Sequence, residues 1–128
     1  MSYYLFLDDQ RHPSRVNWII LPQNVAWTIA RSYEEFVDTI RKQGLPKFVT
    51  YDCDLCQEHY NAFFSLKEKY VLQYHEFQKK CGIHCVEHLL KLCKRQKVPH
   101  PEFLAHTLNH YAKEFIERMI QEYNATYE

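Results

Sequence analysis

Hydrophobic positions along the chain change period several times, and each change predicts an element. Tyr4-Leu5-Phe6-Leu7 is a continuous apolar run that breaks at once into Asp8, Asp9, Gln10 and Arg11, the pattern of a strand covered on both faces whose carboxyl end opens into a site. Residues 12–25 set Pro13 and Pro22 around Trp18-Ile19-Ile20-Leu21, which predicts a long ordered loop partly tucked onto the core. Ala26-Trp27-Thr28-Ile29-Ala30 reads as a short strand. Ser32-Tyr33-Glu34-Glu35 is a capping box, in which the Ser32 hydroxyl and the Glu35 carboxylate each satisfy a free backbone donor. Phe36, Val37 and Ile40 then give a helical stripe that Gly44 and Pro46 end. Phe48-Val49-Thr50-Tyr51 is the next β-prone run, and it too ends in carboxylates, Asp52-Cys53-Asp54.

From Gln57 to Lys80, Tyr60, Phe63, Phe64, Tyr70, Val71, Tyr74 and Phe77 recur every three or four positions. That period predicts a helical insertion at about 57–80, covering the edge of any site at the strand ends. A further helix over about Ile83–Lys97 places Val86, Leu89, Leu90 and Cys93 on one stripe. It closes with Lys91, Lys94, Arg95 and Lys97, charges that suit a helix carboxyl end. Phe103-Leu104-Ala105 predicts a short strand delivering His106-Thr107-Leu108-Asn109. A last helix comes after it, with Tyr111, Phe115, Ile116, Met119, Ile120 and Tyr123 on its buried face. The order β-β-α-β-α-α-β-α indicates an α/β fold, a three-layer sandwich around a small, mostly parallel sheet.

Composition narrows the function classes. At 128 residues the chain predicts one domain, 1–128. Sixteen basic against sixteen acidic residues leave no net charge, so the basic footprint of a protein that grips a long nucleic acid is missing, while a small phosphorylated ligand or a nucleic-acid end stays open. No run approaches the ~20 apolar residues that span a bilayer and no secretory leader opens the chain, which predicts a cytoplasmic protein without membrane contact. The five cysteines are then read as reduced thiols or metal ligands.

The candidate chemistry lies in the repeated carboxylates. In an open parallel α/β sheet, ligands bind beyond the carboxyl ends of the strands. A right-handed crossover would bring the first and third strands side by side, with Asp8, Asp9, Asp52 and Asp54 on one rim. Three or four carboxylates in one small volume are hard to keep ionised without a cation, and hard oxygen donors suit Mg²⁺ or a similar divalent ion. The plainer alternative is that each pair opens a solvated turn or caps the next element. Arg11 offers a cation for a phosphate oxygen. His106 titrates near neutrality and is either an acid–base group or an ordinary hydrogen-bonded residue at a strand end. Asn109 stands where a helix N-cap belongs.

Leu7-Asp8-Asp9-Gln10-Arg11-His12-Pro13, Asp52-Cys53-Asp54-Leu55, Cys81-Gly82-Ile83-His84-Cys85 and His106-Thr107-Leu108-Asn109, read in order, resemble the motifs of the cyclic-phosphate processing receiver-like domain family over nearly the whole chain. The resemblance implies a receiver-like sheet of four strands in the order 2-1-3-4, with Tyr4–Asp9 and Phe48–Asp52 adjacent at its centre. These two runs are the ones apolar enough to be covered on both faces. It implies a metal-dependent phosphoesterase acting on a cyclic phosphate of an RNA end or nucleotide derivative, with Mg²⁺ or Mn²⁺ held by Asp8, Asp9 and Asp52 and with Asp54 as an auxiliary acid. His106, Asp52 and Arg11 become the catalytic candidates, and Arg11, Asn109 and Thr107 the substrate contacts. The chain departs from the pattern at Cys53, where the family has histidine, and at Cys56, where glycine is usual. Thr107 stands for serine, and His110 and Ala112 replace a proline and a glycine.

Two other classes fit some of the same residues. Cys53-x₂-Cys56 and Cys81-x₂-His84 have structural-zinc spacing, with His59 and Cys85 as spare ligands. A catalytically silent receiver-like module would keep the acidic cluster for binding a nucleotide, an ion or a partner. A phosphorelay role is disfavoured, because Thr107 could supply a receiver's hydroxyl but a helix stands where a fifth strand would carry its lysine. The Asp52-x-Asp54 pair also suits an aspartyl-phosphate phosphatase of the haloacid dehalogenase type, which usually places that pair on its first strand.

Overall fold

Four short strands run parallel in the computed structural model, which describes residues 3–127; residues 1, 2 and 128, the ends of the expected single domain, lie outside the described residues. They are β1 (Tyr4–Leu7), β2 (Trp27–Ala30), β3 (Phe48–Tyr51) and β4 (Glu102–Ala105), in the order β2-β1-β3-β4. This is the expected receiver-like arrangement, with the two apolar runs at the centre. The register is level: Leu7 lies opposite both Ala30 and Tyr51, and Tyr51 opposite Ala105. The residues just past β1, β3 and β4 therefore emerge at one rim.

Alternation along the strands splits the core in two. Leu5, Leu7, Val49 and Tyr51 belong to the larger cluster, where they join Phe36 and Ile40 of α1 (Tyr33–Gln43), Val86, Leu89 and Cys93 of α4 (Gly82–Gln96), and Ile116 and Ile120 of α5 (His110–Asn124). Phe6 belongs to the smaller cluster with Val16 and Leu21, against which Ile19, Ile29 and Leu104 pack. Helices thus cover one face of the sheet, and the segment 13–21, with its single 3-10 turn Pro13–Arg15, forms the layer on the other. Among the described residues no helix is long and apolar enough to cross a membrane.

Helix ends obey local chemistry. Ser32 Oγ accepts the Glu35 N–H at 3.1 Å, but the Glu35 carboxylate takes the N–H of Arg31 at 2.8 Å, one residue outside the expected reciprocal bond. The helix stops at Gly44, whose φ of 81° favours glycine. The expected insertion at 57–80 is broken into α2 (Gln57–Leu66), α3 (Tyr70–Gln73) and flanking 3-10 turns. The break begins at Lys67, with φ at 53°. Polar contacts accompany it: the Glu58 carboxylate accepts the N–H groups of Gln78 and Lys79, and His59 Nε2 donates to the Lys79 carbonyl. The far end of the insertion is thereby folded back onto the start of α2.

Candidate functional site

Asp8 sits directly after β1 with its side chain fully buried. Its Oδ1 accepts the backbone N–H groups of Gln10 at 3.0 Å and Arg11 at 2.9 Å, a turn the Asp itself closes. Its Oδ2 accepts Arg11 Nη1 at 3.3 Å and His106 Nε2 at 3.0 Å. Burial alone would raise its pKa, but the hydrogen bonds from His106 and the two backbone donors outweigh that and hold Asp8 at about 2. Arg31 braces the loop from below, its Nη1 donating to the carbonyls of Asp8 at 3.1 Å and Arg11 at 2.6 Å.

His106, delivered by β4, is completely enclosed. Its Nε2–H donates to Asp8, so its Nδ1 is left to accept from the Thr50 hydroxyl at 2.8 Å. Its ring stacks on Phe6 at 4.7 Å and 5°, and its carbonyl accepts Trp18 Nε1 at 2.8 Å. Both ring nitrogens are therefore occupied, and burial lowers the pKa.

Asp52 comes directly after β3 and faces Asp8. Its Oδ1 accepts the Cys53 N–H at 2.8 Å, while its Oδ2 is buried with no hydrogen-bond partner; the nearest cation is Arg11 Nη1 at 3.8 Å. Burial, then the charges of Asp8 and Asp9, push its pKa well above the carboxylate range. Asp54 is raised to about 6 by burial, although it accepts the Tyr70 hydroxyl at 2.7 Å and the Asn109 amide at 3.4 Å. Asn109 does two things at once: its Oδ1 caps α5 by accepting the Ala112 N–H at 3.1 Å, and its Nδ2 reaches Asp54. Thr107 Oγ1 accepts the Asn109 N–H at 3.1 Å. Asp9 turns outward to the Tyr60 hydroxyl, at 2.9 Å.

Above these groups lies a cleft of about 170 Å³ lined by Arg11, Asp52, Asp54, Tyr60, Phe63, Phe64, Thr107, Leu108 and Asn109. A larger hollow of about 590 Å³, bordered by Phe48 and Glu102, opens at the opposite end of the strands, away from the carboxylates. A family model described as the cyclic-phosphate processing receiver domain matches residues 3–122. The chain belongs to this family. Comparison with curated proteins and with solved structures found no match.

The structure gathers some of the receiver domain's expected site residues and parts others. Asp8, Asp52 and His106 bring one ligand atom each within 4.8 Å of one another, whereas Asp9 and Asp54 stand outside this group. Carboxylate oxygens from Asp8 and Asp52 are the donor type a hard divalent ion takes, and Asp52 Oδ2 is buried beside them without a partner. Among the described residues the other such group is Cys56, Glu58 and His59; Cys53, Cys81 and His84 belong to neither. His59 has no free nitrogen, since its Nδ1 accepts the Leu55 N–H at 2.9 Å and its Nε2 donates to Lys79. His84 closes the start of α4 by accepting the Cys81 N–H at 3.0 Å. Cys53 is buried with its thiol 3.3 Å from the Tyr70 hydroxyl.

Sequence reasoning misses the hydroxyl partners of this receiver domain. By spacing, Tyr60 and Tyr70 are apolar stripe residues, and their rings are partly that, but each turns its hydroxyl to a carboxylate. Thr50 and Trp18, which engage His106 from either side, carry no local signal beyond their type.

Proposed function

We propose that this domain binds the cyclic phosphate of a small nucleotide or RNA end and opens the ring by hydrolysis, within the reducing cytosol that its buried free thiols suit. The observation that carries the reading is the unpartnered Oδ2 of Asp52, buried opposite Asp8 in a rim that also presents Arg11. A buried carboxylate oxygen left without a donor is costly unless a proton or a cation relieves it, and a divalent ion relieves it while leaving the charge available to the site. Asp8 and Asp52, with Asp9 as the outer acid, would hold Mg²⁺ or Mn²⁺, which supplies charge neutralisation at the phosphate when bound. Arg11 takes a free phosphate oxygen, and Thr107 and Asn109 hold the far side of the ligand. Water adds to phosphorus, one bond from phosphorus to a ribose oxygen breaks, and a proton ends on that oxygen, giving a phosphomonoester. His106 acts through Asp8, keeping it ionised and oriented, because its own nitrogens are engaged. Asp54 lines the cleft and is the group in place to give the leaving oxygen its proton.

The test is turnover of 2′,3′-cyclic nucleotides with Mg²⁺ or Mn²⁺. Asp54→Asn should lower kcat by about 10²–10⁴-fold with KM within a few-fold, and Asp52→Asn should abolish the metal requirement together with the activity. A second reading, a binding module without turnover, is favoured by Cys53, which stands at the family's histidine position yet is buried beneath the site. Binding without product across a panel of cyclic phosphates would select it over hydrolysis.

A further inference from the structure

The cleft has walls that phosphate chemistry does not require. Phe64 on α2 is 74% exposed and Leu108, in the turn between β4 and α5, is 55% exposed, yet both line the same small opening as Arg11 and Asp54. Phe63 beside them is anchored inward, its ring packing edge-on to those of His110 and Tyr111 at 6.2 Å. It supports the Phe64 ring at 5.3 Å and 41°. Phe64 is thus a braced, solvent-facing ring. Single exposed apolar side chains are ordinary on protein surfaces. Here they converge on one rim above buried carboxylates, and that is the anatomy of a ligand site with apolar walls and a few placed polar groups.

We propose that Phe64, with Leu108, carries the nucleobase of the ligand by stacking and apolar contact, so that the site takes nucleosides and nucleotides in preference to base-free phosphate esters. Three observations favour a base as the occupant. The opening, at about 170 Å³, is smaller than the roughly 300–1,000 Å³ that engulfs a whole drug-sized ligand. It admits one flat group while the rest of the ligand lies across the rim. The floor is acidic apart from Arg11, so a neutral ring suits it better than a second anion. Stacking on a braced aromatic ring is the sequence-tolerant way proteins hold unpaired bases. The position of the phosphate, at Arg11 and Asp52, rests on the function proposed above; the base platform does not.

Binding of 2′,3′-cyclic AMP, adenosine and methyl riboside 2,3-cyclic phosphate should be compared by calorimetry and by proton NMR. The cyclic nucleotide should bind at least about tenfold tighter than its base-free counterpart. Phe64→Ala should collapse that ratio toward one and Phe64→Trp should restore it; position 64 is exposed, so the fold should survive both changes, and a circular-dichroism melt checks it. Adenosine should bind the unmodified protein with ring-current shifts of its base protons that Phe64→Ala removes. Equal affinity for the base-bearing and base-free cyclic phosphates overturns the base platform and leaves the phosphate reading standing. Adenosine binding without binding of any cyclic phosphate overturns the phosphate reading and supports the platform. Binding of none overturns both.

Discussion

Asp8 and Asp52 face each other across the rim and are driven in opposite directions because their donors are unequal. Asp8 accepts four hydrogen bonds, from two backbone N–H groups, Arg11 and His106, and these hold it ionised despite burial. Asp52 accepts one, at Oδ1, and presents its bare Oδ2 to the charge of Asp8. A pair of this kind holds a proton when free of metal and must release it to bind a divalent ion. Asp52→Asn should therefore abolish most divalent affinity, by about tenfold or more for Mn²⁺, while making the metal-free protein more stable near pH 8. The sign comes from linkage. A carboxyl with a raised folded pKa binds protons more readily folded than unfolded, so metal-free stability falls as pH rises toward and through that value. The variant's advantage in urea unfolding should shrink as pH is lowered to the ordinary carboxylate range. Unchanged Mn²⁺ affinity, or a gain in stability that does not vary with pH, would count against a shared site.

At the scale of elements, the site depends on how tightly α4 is seated behind β3. A Cβ on Gly82 would lie 2.0 Å from the Asp52 carbonyl oxygen and 2.7 Å from Cys53 Cα, backbone atoms that cannot rotate away. The Gly82 N–H donates to the Cys53 carbonyl at 2.9 Å across the same gap. Gly82→Ala gains about 1 kcal/mol of helix propensity, but overpacking against backbone costs about 1–3 kcal/mol or more. The clash should win: a lower urea midpoint together with weaker divalent binding, since Asp52 moves with its carbonyl. A neutral or stabilising outcome would mean that α4 can shift without disturbing the rim. The strands and helices α1, α4 and α5 are readable from period and caps, because those signals lie within a few residues of what they control. The broken insertion is not. Its closure joins Glu58 and His59 to Gln78 and Lys79, about twenty residues away, and apolar spacing says nothing of such polar contacts.

For the whole molecule, the sheet order and the meeting of Asp8, Asp52 and His106 at one rim are consequences of two apolar runs ending in acids and a level parallel register. Sequence could not supply which groups would be enclosed together: His106 reads as a site histidine, and only packing under Phe6 and Trp18 seals it. The same holds for His100, buried just before β4, with Nδ1–H donating to the Pro101 carbonyl and Nε2 accepting from the Tyr51 hydroxyl at 2.8 Å. Burial lowers His100 from 6.5 to about 4, so the unfolded chain binds its proton first, and stability on the order of 3 kcal/mol is lost as pH falls from about 6.5 to 4. Asp54 works the other way. Raised from 3.8 to about 6, it takes its proton first in the folded state, and stability of similar size is recovered as pH falls from about 6 to 4. The two opposing slopes should separate in variants studied by urea unfolding with a chelator present. His100→Gln should be less stable than the parent at pH 7, with the deficit closing by about 3 kcal/mol at pH 4. Asp54→Asn should show its advantage at pH 7 and lose it by pH 4. Curves that run parallel to the parent's in either variant would show that the group named does not set that slope.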